Sequence, residues 1–213
     1  MNPTSLLRAL LAAAAAIPAA VVALPPAPEW EIGPWVRGRN YSQGMPAQPS
    51  PAPGGTLAME FPMAGRGQVD ALTTAVGPLA GARQIMLRYR IDAAPGTRFV
   101  ADERPGEPAT VSLYFQQAGD SWSGTGRYES YRWYSPARTV IPLAPGVRSV
   151  TIRFDETWTN VNGHANSQDP AGYAAALANT ARIGLAFGSA SARSHGVYAT
   201  GPARFTLLAL DIG

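Results

Sequence analysis

The chain has no cysteine, no lysine and only two histidines in 213 residues. Without thiols there are no disulfide staples, no cysteine nucleophile and no cysteine-type zinc site. The fold must therefore rest on its core alone. Of the two histidines, a metal role for His195 would need partners, and only His164 is on offer. With lysine missing, all other basic residues are arginine, and Ala, Gly and Pro are abundant. This is the mark of a GC-rich bacterial coding sequence, not of arginine selected for binding. The formal net charge of +3 is a near balance. Nucleic-acid binders gather their basic residues on one face. Here the arginines are scattered among acids, so no nucleic-acid partner is expected.

Long apolar runs are confined to the N-terminus. MNPTSLLR carries one basic residue, Arg8, and ALLAAAAAIPAAVVAL follows without a charge. A membrane-spanning helix needs roughly 20 apolar residues, and Pro18 interrupts this shorter run. Val21-Val22-Ala23 suits signal peptidase, so residues 1–23 read as a secretory signal peptide. A periplasmic or secreted location follows, with no membrane span after signal cleavage. Residues 24–56 read as an N-terminal edge segment, WEIGPWVRGRNYSQG, whose two tryptophans point to packing on the body as an edge strand and loop, and a Pro-rich linker, MPAQPSPAPGG. Residues 57–213 form the main domain.

That domain reads as strands with period 2, punctuated by Gly, Pro and Asp. RQIMLRYRID (83–92) puts Ile85, Leu87, Tyr89 and Ile91 on one face and Met86, Arg88 and Arg90 on the other. ATVSLYFQQ (109–117) sets Val111, Leu113 and Phe115 against Ser112, Tyr114 and Gln116. VRSVTIRFD (147–155) sets Val150, Ile152 and Phe154 against Ser149, Thr151 and Arg153. AMEFP, RYESYRWYS, TVIPL, RIGLAFG, HGVYA and ARFTLLALDI complete the set. DPAGYAAALANT (169–180) alone reads as a short helix, with Asp169 as N-cap and Pro170 first inside. The expected fold is all-β: an antiparallel jelly-roll β-sandwich with one short inserted helix.

The polar faces of these strands carry the candidate site. RYESYRWYS (127–135), read as a strand, sends Tyr131 and Trp133 to the core and Tyr128, Arg132 and Tyr134 outward. The candidate ligand-binding residues are Arg88, Arg90, Tyr114, Gln116, Tyr128, Arg132 and Tyr134. Aromatic rings stack on pyranose faces, and guanidinium and amide groups bond hydroxyl pairs. The competing reading places these residues on the outer faces of two different sheets, where they never meet.

Other motifs carry less. GDSWSG (119–124) has the letters of an esterase nucleophile motif, but neither histidine has Asp three residues before it, and a Gly-Asp-Ser turn explains the same letters. The Asn-rich loop WTNVNGHANSQDP (158–170), with Asp155 and Glu156 before it, could hold a structural calcium, but turns use the same residues. His195 reads as a structural donor to a backbone carbonyl in its hairpin. No carboxylate of matching parity accompanies Glu129, so a glycosidase pair is not evident. No catalytic residue, metal ligand or cofactor is assigned.

Four stretches resemble the carbohydrate-binding-module-like, galactose-binding-type β-sandwiches of exported bacterial proteins. They are GDSWSGTGRYESYRWYS (119–135), LAPGVRSVTIRF (143–154), WTNVNG (158–163) and the closing run 182–212, with Ile183-Gly184-Leu185, Phe187-Gly188 and His195-Gly196-Val197. The resemblance implies a sandwich fold and carries over no catalytic residue; such sandwiches host many functions. The expected function is non-catalytic binding of a saccharide or polysaccharide. The alternatives are a structural or assembly protein of the envelope with a protein partner, and a glycan-active hydrolase.

Overall fold

The computed structural model describes residues 24–213, so the expected signal peptide, residues 1–23, lies outside the described residues. Two antiparallel sheets face each other. The larger runs β1 (Trp30–Gly33), β6 (Ala71–Ala75), β14 (Thr180–Gly188), β9 (Thr110–Gln117), β10 (Arg132–Tyr134) and β13 (Thr159–Asn160), with β11 (Ile141–Pro142) also on β9. The smaller runs β12 (Gly146–Arg153), β7 (Gln84–Ala93), β16 (Ala203–Ile212), β5 (Thr56–Glu60) and β4 (Ser50–Ala52). Two short ribbons, β2 (Trp35–Val36) with β3 (Arg39–Asn40) and β8 (Phe99–Ala101) with β15 (Val197–Ala199), flank them. The architecture is an all-β sandwich.

The core forms where the inward parities meet. Ile85, Leu87, Tyr89 and Ile91 of β7 and Phe205 and Leu207 of β16 oppose Val111, Leu113 and Phe115 of β9 and Ile183, Leu185 and Phe187 of β14. β16 slips register between Leu207 and Ala209, so its next core residue is Leu210 rather than Ala209. One end of the core is aromatic: Phe154 stacks on Trp158 at 5.4 Å, and Phe115 and Tyr173 close around them. Trp158 donates its indole N–H to the Arg153 carbonyl at 2.9 Å, which ties the loop after β12 to the core.

The helix α1 (Pro170–Ala178) starts at Asp169, whose carboxylate accepts from the Gly172 N–H at 2.9 Å, with Pro170 at the first position. Its Tyr173 reaches into the aromatic end and donates to the Phe154 carbonyl at 2.9 Å. RYESYRWYS departs from the strand reading. Gly126–Ser130 is a 3-10 helix and only Arg132–Tyr134 is extended. The preceding turn is the cause: Gly124 and Gly126 adopt left-handed φ of 63° and 57°, which coils the chain before pairing starts. Trp133 reaches the core, while Tyr131 stays half-buried against Tyr128, ring centroids 5.2 Å apart.

Asp70, just before β6, is 3% exposed, and its Oδ1 has no hydrogen-bond partner among the described residues. Burial pushes its carboxyl up to about 8; a bond from Gln68 opposes the shift, and Asp102 and Glu103 add to it. The ordinary value is 3.8. Between these two values the folded state holds a proton that the unfolded chain has released. Stability from this group therefore falls as pH rises through that window and is level above it. Asp70→Asn is expected to stabilise the protein by roughly 2 kcal/mol at pH 8, and by less at pH 5. Calorimetric melts at both pH values check this; an equal gain at each would assign the effect to packing.

Candidate functional site

The outer face of the larger sheet is built from one cross-strand row. Glu31, Thr73, Gly184, Tyr114 and Tyr134 stand opposite one another on β1, β6, β14, β9 and β10. Ala75, Arg182, Gln116 and Arg132 form the next row on the same face. Neighbouring strands lie about 4.8 Å apart, so the first row spans about 19 Å. The face has a closed half and an open half.

The closed half lies over β9 and β10. Tyr114 lies across Gly184, where a β-carbon would come within 2.9 Å of its ring, and its hydroxyl shares a short hydrogen bond with Thr73. Burial holds this phenol protonated, above its ordinary value. Arg132 donates to Asp120 at 2.7 Å, and the two side chains are 3% and 2% exposed. Asp120 also accepts from Gln116 Nε2 at 2.7 Å and from the Trp122 N–H at 3.0 Å. The loop between β9 and β10 thereby folds back over its own sheet. Trp122 meets Tyr114 edge-on at 5.7 Å, and Arg132 sits 4.1 Å from its ring centre. On the other side Arg193 donates to the Ser135 carbonyl at 2.7 Å and lies 5.7 Å from the Tyr134 ring centre.

Sequence reasoning named Tyr114, Gln116, Arg132 and Tyr134, and the structure brings these four together. It also buries them, because their hydrogen-bonding groups are largely committed to Asp120, Thr73 and one another. Arg88 and Arg90 do not join them. They lie on the outer face of the smaller sheet, because β7 belongs to that sheet; Arg90 pairs there with Asp92 at 2.8 Å. Tyr128 sits on the 3-10 turn, off the sheet, with Arg127 4.9 Å from its ring centre.

The open half lies over β1. Trp30 is 1% exposed, whereas Trp35 is 46% exposed. Of the two tryptophans of this edge segment, Trp30 alone reaches the core. β1 ends at Gly33, and Pro34 detaches Trp35 from the strand's alternation. A β-carbon on Gly33 would meet Glu31 Oε1 at 3.2 Å and Trp35 Cδ1 at 3.5 Å. Ring and carboxylate therefore stand side by side over that glycine. Arg182 reaches across small Ala75 to Glu31 at 3.0 Å, and both side chains remain partly exposed. Together with Glu29, Gln48, Pro28 and Ala47 they line a cleft of about 260 Å³. The outward parity of Arg182 in RIGLAFG was readable; the exposure of Trp35 was not.

The remaining polar candidates have other partners. Asp155 pairs with Arg153, and Glu156 with Arg138. Asn160 Oδ1 accepts from the Asn162 and His164 N–H groups, both at 3.0 Å. His195 faces Glu103 through Nδ1 at 3.0 Å, not a backbone carbonyl; both side chains are exposed, so a carboxylate is within reach. No helix of the described residues is long and apolar enough to cross a membrane.

No family model matches the chain, and no curated protein matches it either. Three solved structures are similar in part. A carbohydrate-binding module specific for non-crystalline cellulose is 14% identical, over 86% of each chain, with a TM-score of 0.40. The cleaved adhesin domain of Lys-gingipain from Porphyromonas gingivalis is 13% identical, over 78% of this chain and 82% of its own, with a TM-score of 0.37. Winged bean acidic lectin complexed with methyl-α-D-galactose is 9% identical, over 76% and 90%, with a TM-score of 0.33. Likeness at this level transfers no ligand, so the reading of the site rests on its geometry.

Asp120→Ala is expected to destabilise the fold by about 3–5 kcal/mol, since Arg132 would remain buried without its partner. Urea unfolding measures the loss. A cost under about 1 kcal/mol would show that the pair is not buried as described.

Proposed function

We propose that this protein is an exported, non-catalytic binder of saccharides, and that the ligand sits in the open half of the outer face. One observation carries the reading: a tryptophan ring almost half exposed stands beside a carboxylate–guanidinium pair in a cleft. Trp35 offers an apolar surface to solvent directly beside that polar pair. A pyranose has an apolar face for the ring and vicinal hydroxyls for planar polar groups. Arg182 is already oriented by Glu31, so little side-chain freedom is lost on binding. Binding fits this arrangement better than hydrolysis does. A glycosidase needs a proton-donating acid facing a second carboxylate, and Glu31 is committed to Arg182.

A second reading, an envelope protein with a protein partner, draws on the other sheet. Met86 and Val147 are each 46% exposed on its outer face, beside Arg88 and Arg90. A glycan array separates the two. Saccharide binding is expected, and Trp35→Ala is expected to weaken it by about tenfold or more with an unchanged melting temperature. Arg88→Ala is expected to leave it unaltered. Saccharide binding insensitive to Trp35→Ala would place the site elsewhere, and no saccharide binding at all would favour the protein partner.

A further inference from the structure

The charges of the cleft narrow the ligand further, and this step rests on the saccharide reading above. Three charged residues line it: Glu29, Glu31 and Arg182. Glu31 and Arg182 compensate each other through two hydrogen bonds. Glu29 is exposed and has no ion-pair partner among the described residues. Gln48 gives its Nε2 to the Pro28 carbonyl at 2.8 Å, which leaves its Oε1 as an acceptor. Beyond that balanced pair, whose remaining N–H groups stay free for sugar hydroxyls, the cleft offers a carboxylate, an amide oxygen and an indole face. All three favour a cation: the carboxylate by charge, the amide by its lone pairs, and the indole by its quadrupole. This local sign is opposite to that of the chain as a whole, which is formally +3.

We propose that the cleft selects saccharides bearing a free amino group, 2-amino-2-deoxy sugars in particular, over N-acylated and acidic ones. The sugar ring stacks on Trp35, and its ammonium lies between Glu29 and Gln48 Oε1. A uronate would meet Glu29 as a like charge. An N-acetylated sugar keeps the stacking but loses the cation.

Calorimetric titration with matched oligomers of glucosamine, N-acetylglucosamine and galacturonate tests this. The glucosamine oligomer is expected to bind about three- to fivefold tighter than its N-acetylated counterpart, and the galacturonate oligomer weakest. That preference is expected to shrink as salt is raised from 20 to 300 mM, since partly exposed charges are screened. Glu29→Gln is expected to bring the ratio of the first two affinities near unity. Glu60→Gln, on the other sheet, is expected to leave the ratio at the wild-type value. Equal affinities in the wild type, or a ratio that survives Glu29→Gln, overturns amino-sugar selection while the saccharide reading stands. No binding of any of the three oligomers overturns amino-sugar selection, and the saccharide reading then stands or falls on the glycan array.

Discussion

A sheet covered on both faces sets the terms for the rest of this molecule. Every residue of β9 from Thr110 to Gln116 is buried. One face meets the other sheet, as in any sandwich. The second face needs its own cover, and the chain supplies it from loops rather than from a third layer. The β9–β10 loop turns back through Asp120 and Trp122, and Arg193 comes in from the other side. A polar face closed in this way must satisfy its own donors and acceptors. Asp120 meets part of that demand, with a guanidinium, an amide and a backbone N–H converging on it, while Ser112 Oγ and Gln116 Oε1 have no partner among the described residues. Where the cover stops, over β1, the same face is open, and its polar groups are available to a ligand.

The same constraint explains how much could be read from the residues. β7 alternates along its length, and β12 in its second half, because their outer faces meet water, so their parity was plain in RQIMLRYRID and VRSVTIRFD. β6 was not recognised. Its sequence, ALTTA, has low contrast, and four of its five residues are buried, so no alternation marks it. Parity placed Tyr114 with Gln116 on one strand and Arg132 with Tyr134 on another but gave no sheet order. Nor did it show that a loop would lie over them. Whether a side chain faces out and whether it meets solvent are separate questions when a face is covered twice.

The open site shows the opposite failure. Trp30 and Trp35 stand five residues apart in one short segment and look alike as sequence. Their fates diverge because one lies in a strand of the larger sheet and the other, after a Gly-Pro break, in a two-residue ribbon outside it. The glycine also leaves room on the outer face for the indole and the carboxylate to come together. The proposed binding surface thus owes its shape to a residue with no side chain. Arg182 uses the same device, reaching Glu31 over an alanine.

Asp70 has a consequence for the molecule as a whole. With its carboxyl pushed up to about 8, the folded protein at neutral pH carries a proton that the formal count omits. Its charge is one unit more positive than the sequence gives on paper. Folding at neutral pH is therefore also a protonation, and unfolding releases that proton to the buffer. The heat of unfolding accordingly contains a contribution from whichever buffer receives it. In a compartment whose pH follows the surroundings, acidification strengthens this fold through a residue that no ligand touches.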